Sequence, residues 1–287
     1  MTDLAERHAE RHRGDAAPPV QGGAGAAADD DAAHDAAADA APPADADLLA
    51  ERAHRKRRLA AAYRIFGRFG LTEGTAGHLS VRDPVDPDTF WAAPFGRHFS
   101  MVRASELVRT DADGTVYAGN GPAHPAALVL HGAIHDLRPD VLSAGHAHSD
   151  YGRALAAGGF FVEPITQDAC AFSADTAYHE DYGGVVLTHE ESRGIVGCLG
   201  PHKAAVLRNH GLLTVGGSVE EMVWWFLALE KVCKVQLIAQ AAGPLRLLDP
   251  EVAAAAAALN GTPQAALVNA KPLFDWIDTV EPDAFDE

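Results

Sequence analysis

Cysteine is scarce in this chain. Cys170, Cys198 and Cys233 are the only three in 287 residues, and they stand far apart. They form no C-x-x-C pair and offer no disulfide framework, which fits a reducing cytoplasm. Positive charge is scarce as well: 23 Lys and Arg face 40 Asp and Glu, for a formal net charge of -17. A chain this acidic repels phosphate backbones, so bulk electrostatics argue against a nucleic-acid partner. No run approaches the ~20 apolar residues that a membrane span needs, and the opening MTDLAERHAERHRGD lacks the apolar core of a signal peptide. The sequence contains no internal repeat. These absences point to a soluble cytoplasmic protein with no membrane or nucleic-acid partner.

Residues 1–46 are mostly Ala, Asp, Gly and Pro. Such a segment buries too little apolar surface to offset its ordering entropy, and it is expected to be a disordered acidic tail. The composition then changes. A main domain is expected over 47–248, followed by a C-terminal helix and tail over 249–287. DLLAERAHRKRRLAAAYRIFGRFG has helical apolar spacing and stops at Gly70. Its basic cluster, Arg55 to Arg58, reads as a solvated helix face or a nucleic-acid patch. Strand-like runs follow at 78–83, 89–94 and 106–111, with a turn at Asp113-Gly114. A helix is expected over about 126–136, then a strand through His146 and His148. Ser149 or Asp150 is expected to cap the helix after it. Residues 160–195 look irregular. Ser218 to Glu221 is a capping-box signature opening a long helix that Gly243-Pro244 closes. Trp224, Trp225 and Phe226 make that helix apolar all round, so it is either central or covered by another subunit. A short Ala-rich helix over 249–262 and a mobile tail complete the chain. Strands mixed with helices suggest a three-layer α/β arrangement; periodicity alone does not order the strands.

Histidine is abundant, with fifteen in the chain. His146 and His148 are two apart on a buried strand, so both imidazoles point to one face. A catalytic metal site has about three protein ligands and an open position. The third candidate is His210, at the end of an apolar strand beside Gly211, where backbone can approach a ligand. His131 and His135 are four apart on one helix face. No Glu follows His131, so this is not the zinc-protease pattern. His131 reads either as support for a ligand or as a substrate-facing residue, and His135 as packing.

These residues are the marks of a known family. From about Leu59 to Gly243 the chain resembles the class II aldolase/adducin N-terminal superfamily. The shared features are Gly77-x-Leu79-Ser80-x-Arg82, the Pro94-x-Gly96 loop, His131 before RPDV, His146-x-His148 and Asn209-His210-Gly211. The resemblance implies a three-layer α/β/α fold with a central, mostly antiparallel sheet. It implies a metal held by His146, His148 and His210, and a homotetramer with active sites near subunit interfaces. It also exposes departures. The aldolases carry P-S-S-E where this chain has His124, Pro125, Ala126 and Ala127. Ala127 cannot transfer a proton, a step worth ~10²–10⁴ in rate. The two phosphate-binding serines are Pro125 and Ala126, and the phosphate-binding asparagine is His78. Within the superfamily, GHLSVRDPVDPDTFWAAPFGRHFS and TQDACAF are similar to the iron-dependent oxygenases of aminocoumarin antibiotic pathways. Those enzymes shorten a prenylated 4-hydroxyphenylpyruvate to a 4-hydroxybenzoate by oxidative decarboxylation, through a mandelate.

Three function classes follow. The first is a non-haem Fe(II) oxygenase acting on an aryl α-keto or α-hydroxy acid and O₂. His131 and Tyr151 are its catalytic candidates. Arg82, Gly96 and Arg103 are its substrate-side candidates, with a structural ion pair as the alternative for either arginine. Phe90, Trp91, Phe95, Phe99, Phe160, Phe161 and Phe172 either line an aryl pocket or fill the core. The second is a Zn²⁺-dependent lyase on a non-phosphorylated substrate, with His124, Asp150 or Tyr151 standing in for the glutamate. The third is a non-catalytic, adducin-like module, which would not need the three histidines. Asp150, Asp168 and Glu190 are the carboxylates available to complete an iron site.

Overall fold

The computed structural model describes residues 45–286. Of the acidic stretch 1–46, expected to be disordered, only the last two residues fall within that range, and both belong to helix α1 (Asp45–Arg68). α1 buries Leu59, Ala62, Tyr63, Ile65 and Phe66 at helical spacing, and Gly70 takes a positive φ (70°) beyond its end. Its basic cluster is a partly exposed helix face whose side chains have partners within the fold. Arg55 pairs with Glu51 and the Arg82 carbonyl, and Arg58 with Glu220. Lys56 lies over the Trp91 ring and Arg57 over Phe285.

Eight strands form one sheet: β1 (His78–Arg82), β2 (Phe90–Ala92), β3 (Val108–Thr110), β4 (Val116–Ala118), β5 (Ser143–Ala147), β6 (Thr176–His179), β7 (Ala204–Leu207) and β8 (Gly211–Gly216). Their order is β4-β3-β2-β1-β5-β8-β7-β6, antiparallel throughout except for β6 with β7. Helices α2 (Pro125–Leu137) and α5 (His189–Leu199) cover one face, where Leu130, Ile134, Ile195 and Leu199 meet Ala144, Leu213 and Val215. On the other face lie α1, α3 (Asp150–Ala157), α4 (Cys170–Ser173), α6 (Val219–Ala242) and, past α7 (Pro250–Asn260), α8 (Pro263–Val280). There Leu79, Val81, Val206 and Leu212 meet Phe66, Leu155, Phe172, Phe226 and Phe274. The expected three-layer α/β/α architecture is the observed one, and the long apolar helix α6 is central, packed between the sheet and α1, α3 and α8. Among the described residues, no helix is long and apolar enough to cross a membrane.

Three expectations need correction. His148 lies one residue beyond β5, not within it. The stretch 160–195, expected to be irregular, contains α4, β6 and the start of α5. β6 is a four-residue edge strand with only one buried position, too short to show a period. The signal for α5 was present in the T-x-x-E pattern: Thr188 Oγ1 accepts from the Glu191 N–H and donates to its carboxylate, which also accepts from the Leu187 N–H. The expected mobile tail is largely α8. Pro272 inside this helix hides the pattern, but Ala266, Ala270, Phe274 and Ile277 form a buried stripe in the main core.

The cap of α3 is tertiary rather than local. Ser149 is the N-cap residue but makes no capping bond. Instead the Glu230 carboxylate, from α6, accepts from the Ser149 hydroxyl and from the Tyr151 and Gly152 backbone N–H groups, at 2.6–2.9 Å. An anion at the positive end of a helix satisfies both its dipole and its orphan donors. It also ties α3 to α6 immediately after His148. Replacing Glu230 by Ala is expected to cost about 2 kcal/mol, the scale for hydrogen bonds to a charged group. In thermal unfolding this lowers Tm by about 4–8 °C for a domain of this size.

Candidate metal centre

The pairing of β1 with β5 builds the site. His78 is opposite His146 and Ser80 opposite Ala144, so the side chains of His78, Ser80 and His146 point to the α2 face. His148 follows His146 by two residues. β7 and β8 are joined by a tight turn in which Asn209 takes a positive φ (56°), a conformation Asn tolerates better than most residues. The turn carries His210 back over β5. Gly211 is required there: a Cβ would lie 2.8 Å from the Ala147 carbonyl and 3.5 Å from the His146 ring. The imidazoles of His146, His148 and His210 converge, with ring centroids 4.6–5.1 Å apart. One ligand nitrogen from each lies within 4.8 Å of the others, the one such group among the described residues.

The arrangement fits a divalent ion. His146 is buried, and its Nδ1 lies 2.8 Å from the Leu212 carbonyl. A carbonyl only accepts, so the proton is on Nδ1 and the Nε2 lone pair is free for a metal. Burial pushes all three pKa values down, His210 to about 4 and His146 well below 6.5. The rings are therefore neutral near pH 7, the state a metal ligand needs. Among the described residues no carboxylate groups with the three rings; Glu73, whose charge acts on His148, is bound to Arg153. Asp150 is exposed and pairs with Arg153; Asp168 is exposed, and Glu190 lines, together with His210, a cavity of about 360 Å³.

A second group of histidines lies behind the first. His78 is buried, with its ring 5.1 Å from His146 and 5.3 Å from His124. Its Nδ1 is 2.8 Å from His131 Nε2, and His131 Nδ1 is 2.7 Å from Ser80 Oγ. The same hydroxyl is 2.8 Å from His135 Nε2. His131 is thus wholly buried and supports His78; it does not face substrate. His135 is part of this polar ladder, not simple packing. Burial holds both rings neutral, His135 at about 3 with the Arg82 cation adding to the effect, and His131 well below 6.5.

The other predicted residues separate. Gly96 (φ 82°) lies in the cleft with His78, His124, Ala127, Phe95, Phe99 and Arg97. Arg82 is not in that cleft: its guanidinium is bound to the carbonyls of Pro87, His135, Arg138 and Val141, where it braces the end of α2. Arg103 lies 3.8 Å from Asp283 in the C-terminal segment. Tyr151 is turned to α6, with Lys234 Nζ 5.0 Å from its ring centroid. His124 is spent as the N-cap of α2, its Nδ1 accepting from the Ala126 N–H. Of the seven aromatic candidates only Phe95 and Phe99 reach the cleft. The arginine at the cleft is Arg97, signalled only by its place after Gly96. His78 was read as a lost asparagine rather than as a new functional group.

With fold and site together, the class is defined: residues 57–237 match the class II aldolase and adducin N-terminal domain, and the chain belongs to that family. Within it, the chain is 42% identical over 214 residues to the 4-hydroxy-3-prenylphenylpyruvate oxygenase/4-hydroxy-3-prenylbenzoate synthase of Streptomyces roseochromogenus subsp. oscitans, covering 74% of this chain and 77% of that one. It is 41% identical to Decarboxylase NovR of Streptomyces niveus, over 74% and 79% of the two chains. Among solved structures, L-fuculose 1-phosphate aldolase from Glaciozyma antarctica PI12 is similar at TM-score 0.79 and 39% identity, over 86% of this chain and 97% of that one.

Two measurements check the site. Metal content of the His146→Ala protein is expected to fall to near zero, with circular dichroism unchanged. The second is stability against pH. His135 sits near 3 in the fold against an ordinary value of 6.5. The unfolded chain binds more protons between these values, so the contribution of the neutral ring is complete above about 6.5 and is lost as pH falls toward 3. Denaturant unfolding is expected to show this acid loss, with a shallower slope in His135→Phe.

Proposed function

We propose that this protein is a non-haem Fe(II) oxygenase that removes carbon from an aryl α-keto or α-hydroxy acid, converting a 4-hydroxyphenylpyruvate or mandelate to a 4-hydroxybenzoate. The observation that carries the reading is a three-histidine group that no carboxylate joins among the described residues, with Ala127 in the cleft wall where the resemblance places the aldolases' proton-transfer group. The similarity to the prenylphenylpyruvate oxygenase supports the substrate class.

His146, His148 and His210 would hold the ion. Bound iron would supply the electrons and open positions that O₂ activation requires. The chain's own residues bind and orient the acid. The substrate's acid end lies on the His78 side of the histidines. Its aryl ring enters the cavity on the His210 side, where Tyr182, Val186, Ile195 and Leu207 offer apolar surface. Tyr182 stands with its ring 6.4 Å from His210. Without a side chain at Ala127 able to move a proton, carbanion chemistry has no evident base. Oxidative decarboxylation does not require one at that place. The reading includes assembly as a homotetramer, for which exposed Val235 and Ile238 on α6 provide apolar contact surface.

Atom balance sets the test. An arylpyruvate and O₂ give the mandelate and CO₂; the mandelate and a second O₂ give the benzoate, CO₂ and water. An oxygen electrode with iron-loaded protein should therefore record two O₂ per arylpyruvate and one per mandelate, and no uptake with His146→Ala. The competing reading, a zinc-dependent lyase, is favoured by the likeness to the solved aldolase. Turnover under nitrogen with zinc, and none that consumes O₂ with iron, would establish it instead.

A further inference from the structure

One arginine beside the metal histidines is held only by exposed carboxylates. Arg153 follows His148 by five residues, in α3, and its backbone N–H donates to the Ser149 carbonyl. The start of α3 is fixed from two sides. Glu230 grips it from α6, and Gly152 lets it press on β8, because a Cβ there would lie 2.4 Å from the Leu212 side chain. Leu212 is the residue whose carbonyl holds His146. Arg153 therefore has a set place relative to the histidines.

On the opposite bank is a tight turn from Glu73 to Ala76, closed by a bond from the Ala76 N–H to the Glu73 carbonyl. Gly77 follows with a positive φ (92°), and a Cβ on it would lie 3.1 Å from the His146 carbonyl. The turn thus rests on the end of β5, and its Gly74 and Thr75 line the cleft with His78. From this turn the Glu73 carboxylate reaches Arg153 Nη1 at 2.8 Å, while Asp150 takes Nη2 at 3.0 Å. Arg153 Nε makes no hydrogen bond among the described residues. Burial pushes the His148 pKa down, the Arg153 cation pushes it further and the Glu73 carboxylate works against both, so both charges are felt at a metal histidine.

The pair is suited to exchange. The side chains of Glu73 and Asp150 are 64% and 86% exposed and that of Arg153 40%, and ion pairs in water contribute little. The other arginines nearby are placed differently. Arg97, in the cleft, is gripped by both oxygens of Glu106 and by the Met101 carbonyl. Arg208, paired with Glu180, belongs to the cavity on the His210 side. A chain of net charge -17 repels an acid, so an acid that binds beside the histidines needs a local cation.

We propose that Arg153 is the residue that binds the substrate's carboxylate: the acid held at the three histidines displaces Glu73, and the guanidinium passes from one carboxylate to the other. Glu73 is then a competitor that occupies Arg153 when no acid is bound, not a brace. The proposal deepens the oxygenase reading, on which the aryl ring of the acid rests; the exchange itself asks only for a 2-hydroxy or 2-oxo carboxylate. Arginine suits the task, because its planar fork meets a carboxylate through two parallel hydrogen bonds.

Two substitutions with opposite effects test this. The cobalt-loaded full chain is titrated under nitrogen with 4-hydroxymandelate and with glycolate, and binding is read from the visible spectrum of the cobalt. Arg153→Gln should weaken binding about tenfold, the scale of one lost hydrogen bond to a charged group. Glu73→Gln should tighten it about threefold, because it removes an exposed competitor. Arg153→Lys, which keeps the charge but not the fork, should fall between Arg153→Gln and the unmutated chain. The uncharged 4-hydroxybenzyl alcohol should be indifferent to all three. A brace between the turn and α3 would instead weaken acid binding in both Arg153→Gln and Glu73→Gln; that result, or no change in either, overturns the proposal. Should Arg153→Gln not fold, Glu73→Gln decides alone, and binding that is unchanged or weaker overturns it. Opposite shifts with glycolate, and no binding of the mandelate, uphold the exchange and overturn the aryl substrate class. Opposite shifts with the mandelate uphold both. A chain that holds no cobalt, or binds neither acid, overturns both.

Discussion

The pairing of His78 with His146 across β1 and β5 is the constraint on which the site depends. A slip of one residue would turn both side chains to the opposite face, into a layer of Leu, Val and Phe. The register is held by the apolar residues that alternate with them. Leu79 and Val81 of β1 and Ala147 of β5 are buried on the α1 and α6 side. The same pairing puts Ser80 beneath α2, where His131 and His135, one helical turn apart, can reach it. Metal ligands and their supporting ladder are thus two consequences of one strand alignment.

Packing so many imidazoles together is tolerable because none is charged. Burial is the largest cause of depression for each of them, and their mutual repulsion adds to it. A neutral cluster still needs hydrogen bonds. The fold provides the Leu212 carbonyl for His146 and the Ser80 hydroxyl for His131 and His135. Glu230 contributes from a distance: by gripping the start of α3 it anchors the backbone just beyond His148. The metal site is therefore stabilised by α6 although no residue of α6 belongs to it.

The family relationship and the departures from it carry different information. The fold belongs to the class II aldolase and adducin family. Pro125, Ala126 and Ala127 stand where the resemblance places the serines and glutamate of the aldolases' P-S-S-E. The structure adds that His124, a candidate for the missing acid/base, is already committed as a helix cap. At this end of α2 the cleft is lined by Ala127, Phe95, Phe99 and His78.

Much of this was legible in the sequence where chemistry is local. H-x-H spacing, the capping box at Ser218, the glycine after His210 and the family motifs are short-range patterns, and they were enough to name the three histidines that converge and the layer architecture. Residues whose role depends on long-range neighbours were not legible. Arg82 was a substrate candidate until the fold surrounded it with carbonyls. His78 was a missing asparagine until β5 and α2 closed around it, and Glu230 was one acid among forty. What the sequence by itself determined is which side chains can ligate, because donor type and two-residue spacing are covalent facts. What only the tertiary structure decided is which nitrogen of His146 carries the proton, because that is set by the Leu212 carbonyl, brought alongside from a strand more than sixty residues away.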